Sequence, residues 1–311
     1  MNIVFAGTPQ FALPSLDAIF QSEHQLLAIY TQPDRPAGRG HKLQPSPIKL
    51  WALEHELPVY QPTNFKPQEN INDLAALSPD IMIVIAYGLI LPRSILEIPK
   101  YGCINVHASL LPQWRGASPI QHAILNNDTE SGITIMQMDS GMDTGDILAT
   151  ISCPIEHQDT AGTLHDKLAQ LAPTVLLNIL NQITKEKLTP EPQNNAMATY
   201  APKINKEDAS IDWQQSAVHI DCQIRAFNPW PIAYTHANGE TIRIHQARTL
   251  NTPCGEAPGT ILAINKEGIQ VATGQHVLLI ETLQFAGGKV LKVADWLNAH
   301  YNKLHTNQVL Q

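Results

Sequence analysis

Ile81-Met82-Ile83-Val84-Ile85 is five apolar residues with no polar break, and it runs on into Ala86-Tyr87-Gly88-Leu89-Ile90-Leu91-Pro92. A strand with one wet face alternates apolar and polar residues. An unbroken run belongs to a strand covered on both faces, as in a parallel sheet between helices. The same signature recurs on either side. Ile3-Val4-Phe5-Ala6 ends at Gly7, residues 26–30 form a second such run, and residues 103–107 and 134–138 are further candidate strands. Between them, residues 11–20 and 163–183 space their apolar side chains at helical intervals. Ser46-Pro47 has the form of a helix start, with Ser as cap and Pro in the first turn. Strand and helix alternating in this way predict an open, mostly parallel α/β sheet, with ligands beyond the carboxyl ends of its strands.

From residue 185 the character changes. Pro, Asn, Gln and Lys dominate and no apolar period survives. We divide the chain into a domain over 1–188, a linker over 189–207 and a second domain over 208–311. In the second, residues 217–227 suit one helix. Short runs at 232–235, 242–248, 259–264, 268–272 and 277–283 are separated by turn signals such as Asn238-Gly239 and Pro258-Gly259. That pattern predicts a small antiparallel barrel or sandwich.

Composition narrows the function. With 311 residues, 43% hydrophobic and 15% charged, the chain is not a disordered one. Its net charge of −8 excludes a general basic coat for nucleic acid. Residues 1–202 hold 11 basic and 19 acidic residues, and residues 203–311 hold 9 of each. A polyanion must therefore be gripped by a local patch. One is at hand in Asp34-Arg35-Pro36-Ala37-Gly38-Arg39-Gly40-His41-Lys42, because residues 34–49 carry four basic residues against one acid. None of the four cysteines forms a C-x-x-C pair, so no zinc or dithiol site is signalled and a reducing, cytoplasmic location is expected. Residues 81–91 are the most apolar stretch and fall short of the ~20 a membrane helix needs, so no membrane association is expected.

Two segments hold the chemistry. Asn105 and His107 lie two apart on a candidate strand, so both point to one face near its carboxyl end. An amide donor beside an imidazole suits stabilisation of an oxyanion and movement of protons, and on spacing alone the pair suits equally well hydrogen bonding to the loop that follows. The second segment is Asp139-Ser140-Gly141-Met142-Asp143-Thr144-Gly145-Asp146. Counted from Asp139, Thr144 falls where a calcium loop needs Gly and Thr150 where it needs Glu, so calcium is not indicated. It reads either as a carboxylate on a glycine-freed loop or as a solvated turn. Phe5-Ala6-Gly7-Thr8-Pro9 lacks the further glycines of a dinucleotide fingerprint and the Lys of a P-loop.

Phe5–Pro9, Gln32–Gly40, Ala86–Pro92, Asn105-Val106-His107, Ser109-Leu110-Leu111-Pro112, Met138–Asp146 and Arg225-Ala226-Phe227-Asn228-Pro229-Trp230-Pro231 together resemble the formyltetrahydrofolate-dependent formyltransferases. Among these the likeness is to the methionyl-tRNA formyltransferases, and it extends over essentially the whole chain. The resemblance implies a Rossmann-like first domain and an OB-like second one that binds tRNA. It implies transfer of formyl from 10-formyltetrahydrofolate to the amine of initiator methionyl-tRNA, with no metal. It assigns Asn105, His107 and Asp143 to catalysis, and Ser109, Leu110, Leu111 and Pro112 to the folate. Tyr87 and Gly88 are expected to wall the pteridine pocket. Arg39 is expected at the tRNA acceptor end, with Arg35 and Lys42 as weaker candidates. A monomer is expected.

Three departures stand out. Ala108 replaces a Gly, which at positive φ would cost about 1 kcal/mol in strain. Gln113 replaces a basic residue, and His41 a Lys. A formyltransferase for another amine, such as an amino-sugar nucleotide, would share the same three catalytic side chains. The basic loop and Asn228–Pro231 argue for the tRNA.

Overall fold

In this computed structural model the described residues are 1–37, 42–183, 185, 188–300 and 303–311, without the side chains of 37, 42, 299 and 300. The run Ile81–Ile85 is a strand with every residue buried. It belongs to a seven-stranded sheet whose strands, in chain order, are β1 (Asn2–Gly7), β2 (Gln25–Tyr30), β3 (Val59–Tyr60), β4 (Ile81–Ile85), β5 (Cys103–His107), β6 (Glu130–Gln137) and β7 (Ile147–Pro154). The spatial order is β7-β6-β5-β4-β1-β2-β3. The first five run parallel, β6 runs antiparallel to β5, and β7 runs antiparallel to β6 and so in the direction of the first five. Burial explains the patterns. β4 lies inside the sheet and is apolar throughout, whereas β7, at the edge, leaves Thr150, Ser152 and Pro154 exposed. The chain leaves β1 for β2 and β3 on one side and then crosses to β4 and β5 on the other. The order reverses between β1 and β4, and it is outside the carboxyl ends at such a reversal that open α/β sheets bind their ligands.

Local chemistry sets the helix ends. The Ser46 hydroxyl accepts the Lys49 N–H at 3.0 Å and caps helix Pro47–Glu54. The expected helix over 11–20 opens as a 3-10 turn, Gln10–Ala12, and becomes α-helical only at Leu13–Phe20, where Pro14 occupies the first turn. The long helix spans Ala161–Ile183. Among the described residues no helix is long and apolar enough to cross a membrane.

The chain forms two compact units, one of residues 1–119, 130–154 and 165–201, the other of 120–129, 155–164 and 202–311. The stretch read as a linker is built into the first unit along part of its length. Glu191 forms a bridge with Ile147, and Tyr200–Ala201 pairs in parallel with Arg115–Gly116.

In the second unit, helix Ala217–Ala226 is capped by Ser216. The antiparallel sheet comprises β8 (Tyr234–Ala237), β9 (Glu240–Leu250), β10 (Ile261–Asn265), β11 (Gly268–Ala272), β12 (Val277–Phe285) and β13 (Leu291–Lys292). Its order is β8-β9-β12-β11-β10, with β13 on β12. Asn238 and Gly239 both take positive φ, as the two-residue turn between β8 and β9 requires. β8 starts two residues later than expected because Ile232 sits at φ +72° and cannot extend the strand. Trp213, Ile220, Ile244 and Trp296 pack in its core.

Candidate active site

The site grows from the end of β5. This strand pairs with β4 on one side and β6 on the other, with Asn105 opposite Val84 and Met136. The period of two puts Asn105 and His107 on one face. His107 lies at the last position, where the chain opens into the loop that follows. Its Nε2 is 3.0 Å from the Trp114 carbonyl. A carbonyl only accepts, so Nε2 carries the ring proton in the neutral form and Nδ1 keeps its lone pair. That Nδ1 faces Asp143 Oδ1 at 3.7 Å, longer than a direct hydrogen bond. The other carboxylate oxygen accepts the Gly116 N–H at 2.8 Å. Asn105 is half-buried, and its side-chain amide makes no hydrogen bond among the described residues. The fold thus brings His107, at the end of a strand, together with Asp143, on a separate loop, with Asn105 one pleat behind on the face of His107.

Asp143 takes a left-handed conformation, φ +54°. The turn before it is built by Asp139, whose carboxylate accepts from the Gly141 N–H at 2.9 Å and the Thr144 hydroxyl at 2.7 Å. Gly145 is needed for a close approach, since a Cβ there would lie 1.7 Å from the Gln137 carbonyl oxygen.

Ser109 is fully buried and donates to the Gln113 carbonyl at 2.6 Å, so its hydroxyl shapes the loop from within. Thr134 on β6 anchors the same loop. Its hydroxyl donates to the Ser109 carbonyl at 2.7 Å and accepts the Leu111 N–H at 3.0 Å. Leu111 is buried, while Leu110 and Pro112 are half-buried. Ala108 is not among the residues of positive φ, so it stands there without backbone strain.

Tyr87 lies just beyond the end of β4. Its ring is 1% exposed and packs in the core with Tyr30 and Phe65, where burial pushes the phenol above its usual range. What Tyr87 turns toward polar neighbours is its carbonyl, which accepts from Thr8 Oγ1 at 2.9 Å and Gln32 Nε2 at 3.0 Å. Gly88, at φ +81°, leaves room for Gln32, whose Nε2 would lie 2.2 Å from any Cβ.

In the basic loop, Arg35–Ala37 pairs with Lys42–Gln44. Arg35 is exposed and donates to Gln32 Oε1. Arg39, His41 and the Lys42 side chain lie outside the described residues. Lys49 is held by Asp34 at 2.8 Å and in turn keeps that carboxyl below the usual carboxylate range. Of the four basic residues in this stretch, Lys49 is thus paired, and Arg35 is the other whose side chain is described. Among the described residues no group of His, Cys, Asp or Glu could hold a metal ion.

Two residues with no assigned role stand behind Asp143. Arg115 is 2% exposed and donates through Nε and Nη2 to Gln193 Oε1, at 3.1 and 2.7 Å. Its Nη2 also donates to Asn195 Oδ1 at 2.8 Å. Gln193 Nε2 donates to the carbonyls of Asp143 and Gly145, at 2.9 and 2.7 Å. Only the charge of Arg115, the one basic residue between Lys100 and Lys167, could have drawn attention to them.

The Formyl transferase family model matches residues 1–180, and the Formyl transferase C-terminal domain model matches residues 203–301. Proteins named methionyl-tRNA formyltransferase from two Legionella pneumophila strains, Philadelphia 1 and Paris, are 60% identical over 311 residues, covering 100% of this chain and 99% of each relative. Among solved structures, the sugar 3N-formyl transferase WlaRD, in the presence of dTDP and 5-N-formyl-THF, aligns with TM-score 0.69 at 21% identity, over 93% of this chain and 99% of that one. An N-formyltransferase from Helicobacter canadensis, in complex with folinic acid and dTDP-3-aminofucose, aligns with TM-score 0.68 at 22% identity, over 89% and 98%. At such identities the solved structures speak for the fold, and the sequence matches speak for descent. On those matches, which run from the first residue into the last strands of the second unit, the chain belongs to the formyl transferase family.

Proposed function

We infer that this chain transfers the formyl group of 10-formyltetrahydrofolate to the α-amino group of methionyl-tRNA, giving N-formylmethionyl-tRNA. One observation carries the reading. His107 and Asp143 face each other at the end of β5, with Asn105 on the same face of that strand, in a chain 60% identical along its length to proteins named for that reaction.

The chemistry suits these groups. A free α-amino group has a pKa of ~7.7–8.0, so enough neutral amine is present near pH 7. Its nitrogen attacks the formyl carbon, and the formyl oxygen becomes an oxyanion. The Asn105 amide, without a partner among the described residues, donates to that oxygen, a contact of a kind that contributes about 2.7–4 kcal/mol. His107 takes the other task. Its Nε2–H is engaged by the Trp114 carbonyl, so it is Nδ1 that faces the reaction. Nδ1 and the Asp143 carboxylate are two acceptors 3.7 Å apart, suited to receive the proton that the amine sheds. The same proton then passes to the folate nitrogen as the old C–N bond breaks, and the ring returns to its starting form.

The half-buried Leu110 and Pro112 are the part of the Ser109–Pro112 loop we assign to folate contact, and Arg39, Arg35 and Lys42 to the acceptor end of the tRNA. The test is mass spectrometry of methionyl-tRNA after incubation with the protein and 10-formyltetrahydrofolate. The methionyl group should gain one formyl. An amino-sugar nucleotide offered in parallel should stay unmodified. Formylation of the sugar alone, or release of formate with no acceptor used, would overturn the assignment.

A further inference from the structure

We propose that Gln193, locked by the buried Arg115, is a positioning residue that sets the Asp143 carboxylate against His107. The proposal rests on the catalytic reading of Asp143 given above.

The argument starts from donors and acceptors. An arginine side chain has donors only. Arg115 sends two of them to Gln193 Oε1, so the oxygen of that amide must face the guanidinium and its NH2 must face away. The two hydrogens of that NH2 meet two carbonyls, those of Asp143 and Gly145, which flank Thr144. Every hydrogen-bonding position of the Gln193 amide is thereby filled, and its orientation cannot reverse without placing donor against donor. Among the described residues Arg115 has no carboxylate partner. Asn195 takes a further donor, so the guanidinium is held by neutral amides.

What this clamp holds needs holding. Asp143 sits at φ +54°, unfavourable for a residue with a Cβ. Residues 139–142 before it are exposed. The wider geometry supports the same role. Glu191 is bonded both ways to Ile147, just past the Asp143 turn. Thr199 and Ala201 are bonded to Trp114, Arg115, Ala117 and Ser118, on the loop whose Trp114 carbonyl orients His107. Residues 191–201 thus brace the loop that orients the imidazole to the loop that carries the carboxylate. Catalytic geometry is sensitive to such bracing, since a displacement of about 1 Å can cost about a hundredfold in rate.

Gln193→Glu is the discriminating variant. It keeps size and the partnership with Arg115, and it turns both donors on the Asp143 loop into acceptors. We expect kcat for methionyl-tRNA formylation to fall about a hundredfold. KM for both substrates should stay within about twofold, and the thermal melt should be unchanged. The deciding readout is the double variant. In an Asp143→Asn background, Gln193→Glu should cost nothing further, because it acts through the group already lost. Normal turnover in Gln193→Glu overturns the proposal, and so does a loss that adds in full to that of Asp143→Asn. In both cases a slow Asp143→Asn leaves the catalytic reading standing. Normal turnover in Asp143→Asn alone overturns both. Should Gln193→Glu melt early, Gln193→Met, which removes the donors without adding charge, is read through the same cycle.

Discussion

Replacing Asn105 by Ala removes one amide from the end of β5 and disturbs no hydrogen bond among the described residues. We expect kcat to fall at least about a hundredfold with the thermal melt intact. A rate within a few-fold of normal would take the residue out of the mechanism. Cys103, at the start of the same strand, is fully buried, and burial pushes its thiol up to about 12. Iodoacetamide at pH 8 should therefore spare Cys103 in the native protein and modify it after denaturation, a difference that peptide mass mapping would reveal. The sign of its pH effect follows. Above about 8.5 the unfolded thiol ionises while the native one stays protonated. Its share of the stability is complete below that point and drains away as pH climbs toward 12. A Cys103→Ala variant should show a flatter alkaline limb. At this scale the sequence is a good guide where an element is regular. The two-residue period was enough to put Asn105 and His107 on one face. It says nothing of Tyr87, because Ala86 takes φ +47°, the strand has ended, and alternation no longer tells which way a ring points.

Thr134 on β6 ties down the loop from Ser109 to Leu111 through two hydrogen bonds in a fully buried setting. Thr134→Val keeps the shape and leaves those partners unsatisfied. We expect a loss of about 1–3 kcal/mol in chemical denaturation. If the loop contacts folate, KM for the folate should rise more than KM for methionyl-tRNA. An equal rise in both would mean that the loop serves only the fold. Elements such as β4 and the capped helix Pro47–Glu54 were legible because their signals are local, an unbroken apolar run in one case and a Ser-Pro start in the other. Residues 191–201 were not. Their role depends on Arg115 meeting Asn195, 80 positions later, and no local period reports a partnership at that separation.

For the molecule as a whole, net charge limits how tRNA is held. With Lys49 held by Asp34, the proposed contact of Arg35, Arg39 and Lys42 with phosphate predicts that the log of tRNA affinity falls against the log of salt with a slope of about −2 to −3. Arg39→Ala should lower that slope by about 1 and leave folate binding as it was. A steep slope that the variant does not alter would move the contact elsewhere. The two-part organisation could be seen in the sequence, because apolar periodicity lapses after residue 185. The inclusion of residues 120–129 and 155–164 in the second unit could not, since those segments carry the ordinary composition of their neighbours.

Arg115 has one more consequence. Of the 11 basic residues in the first 202, this one is sealed inside and Lys49 is matched by Asp34, so fewer free cations meet water than a count of residues suggests. An incoming RNA is repelled at a distance and attracted only within about a Debye length, roughly 8–10 Å at physiological salt. Capture is then a matter of contact rather than steering. Added salt should leave the encounter rate level or raise it, while shortening the lifetime of what has docked.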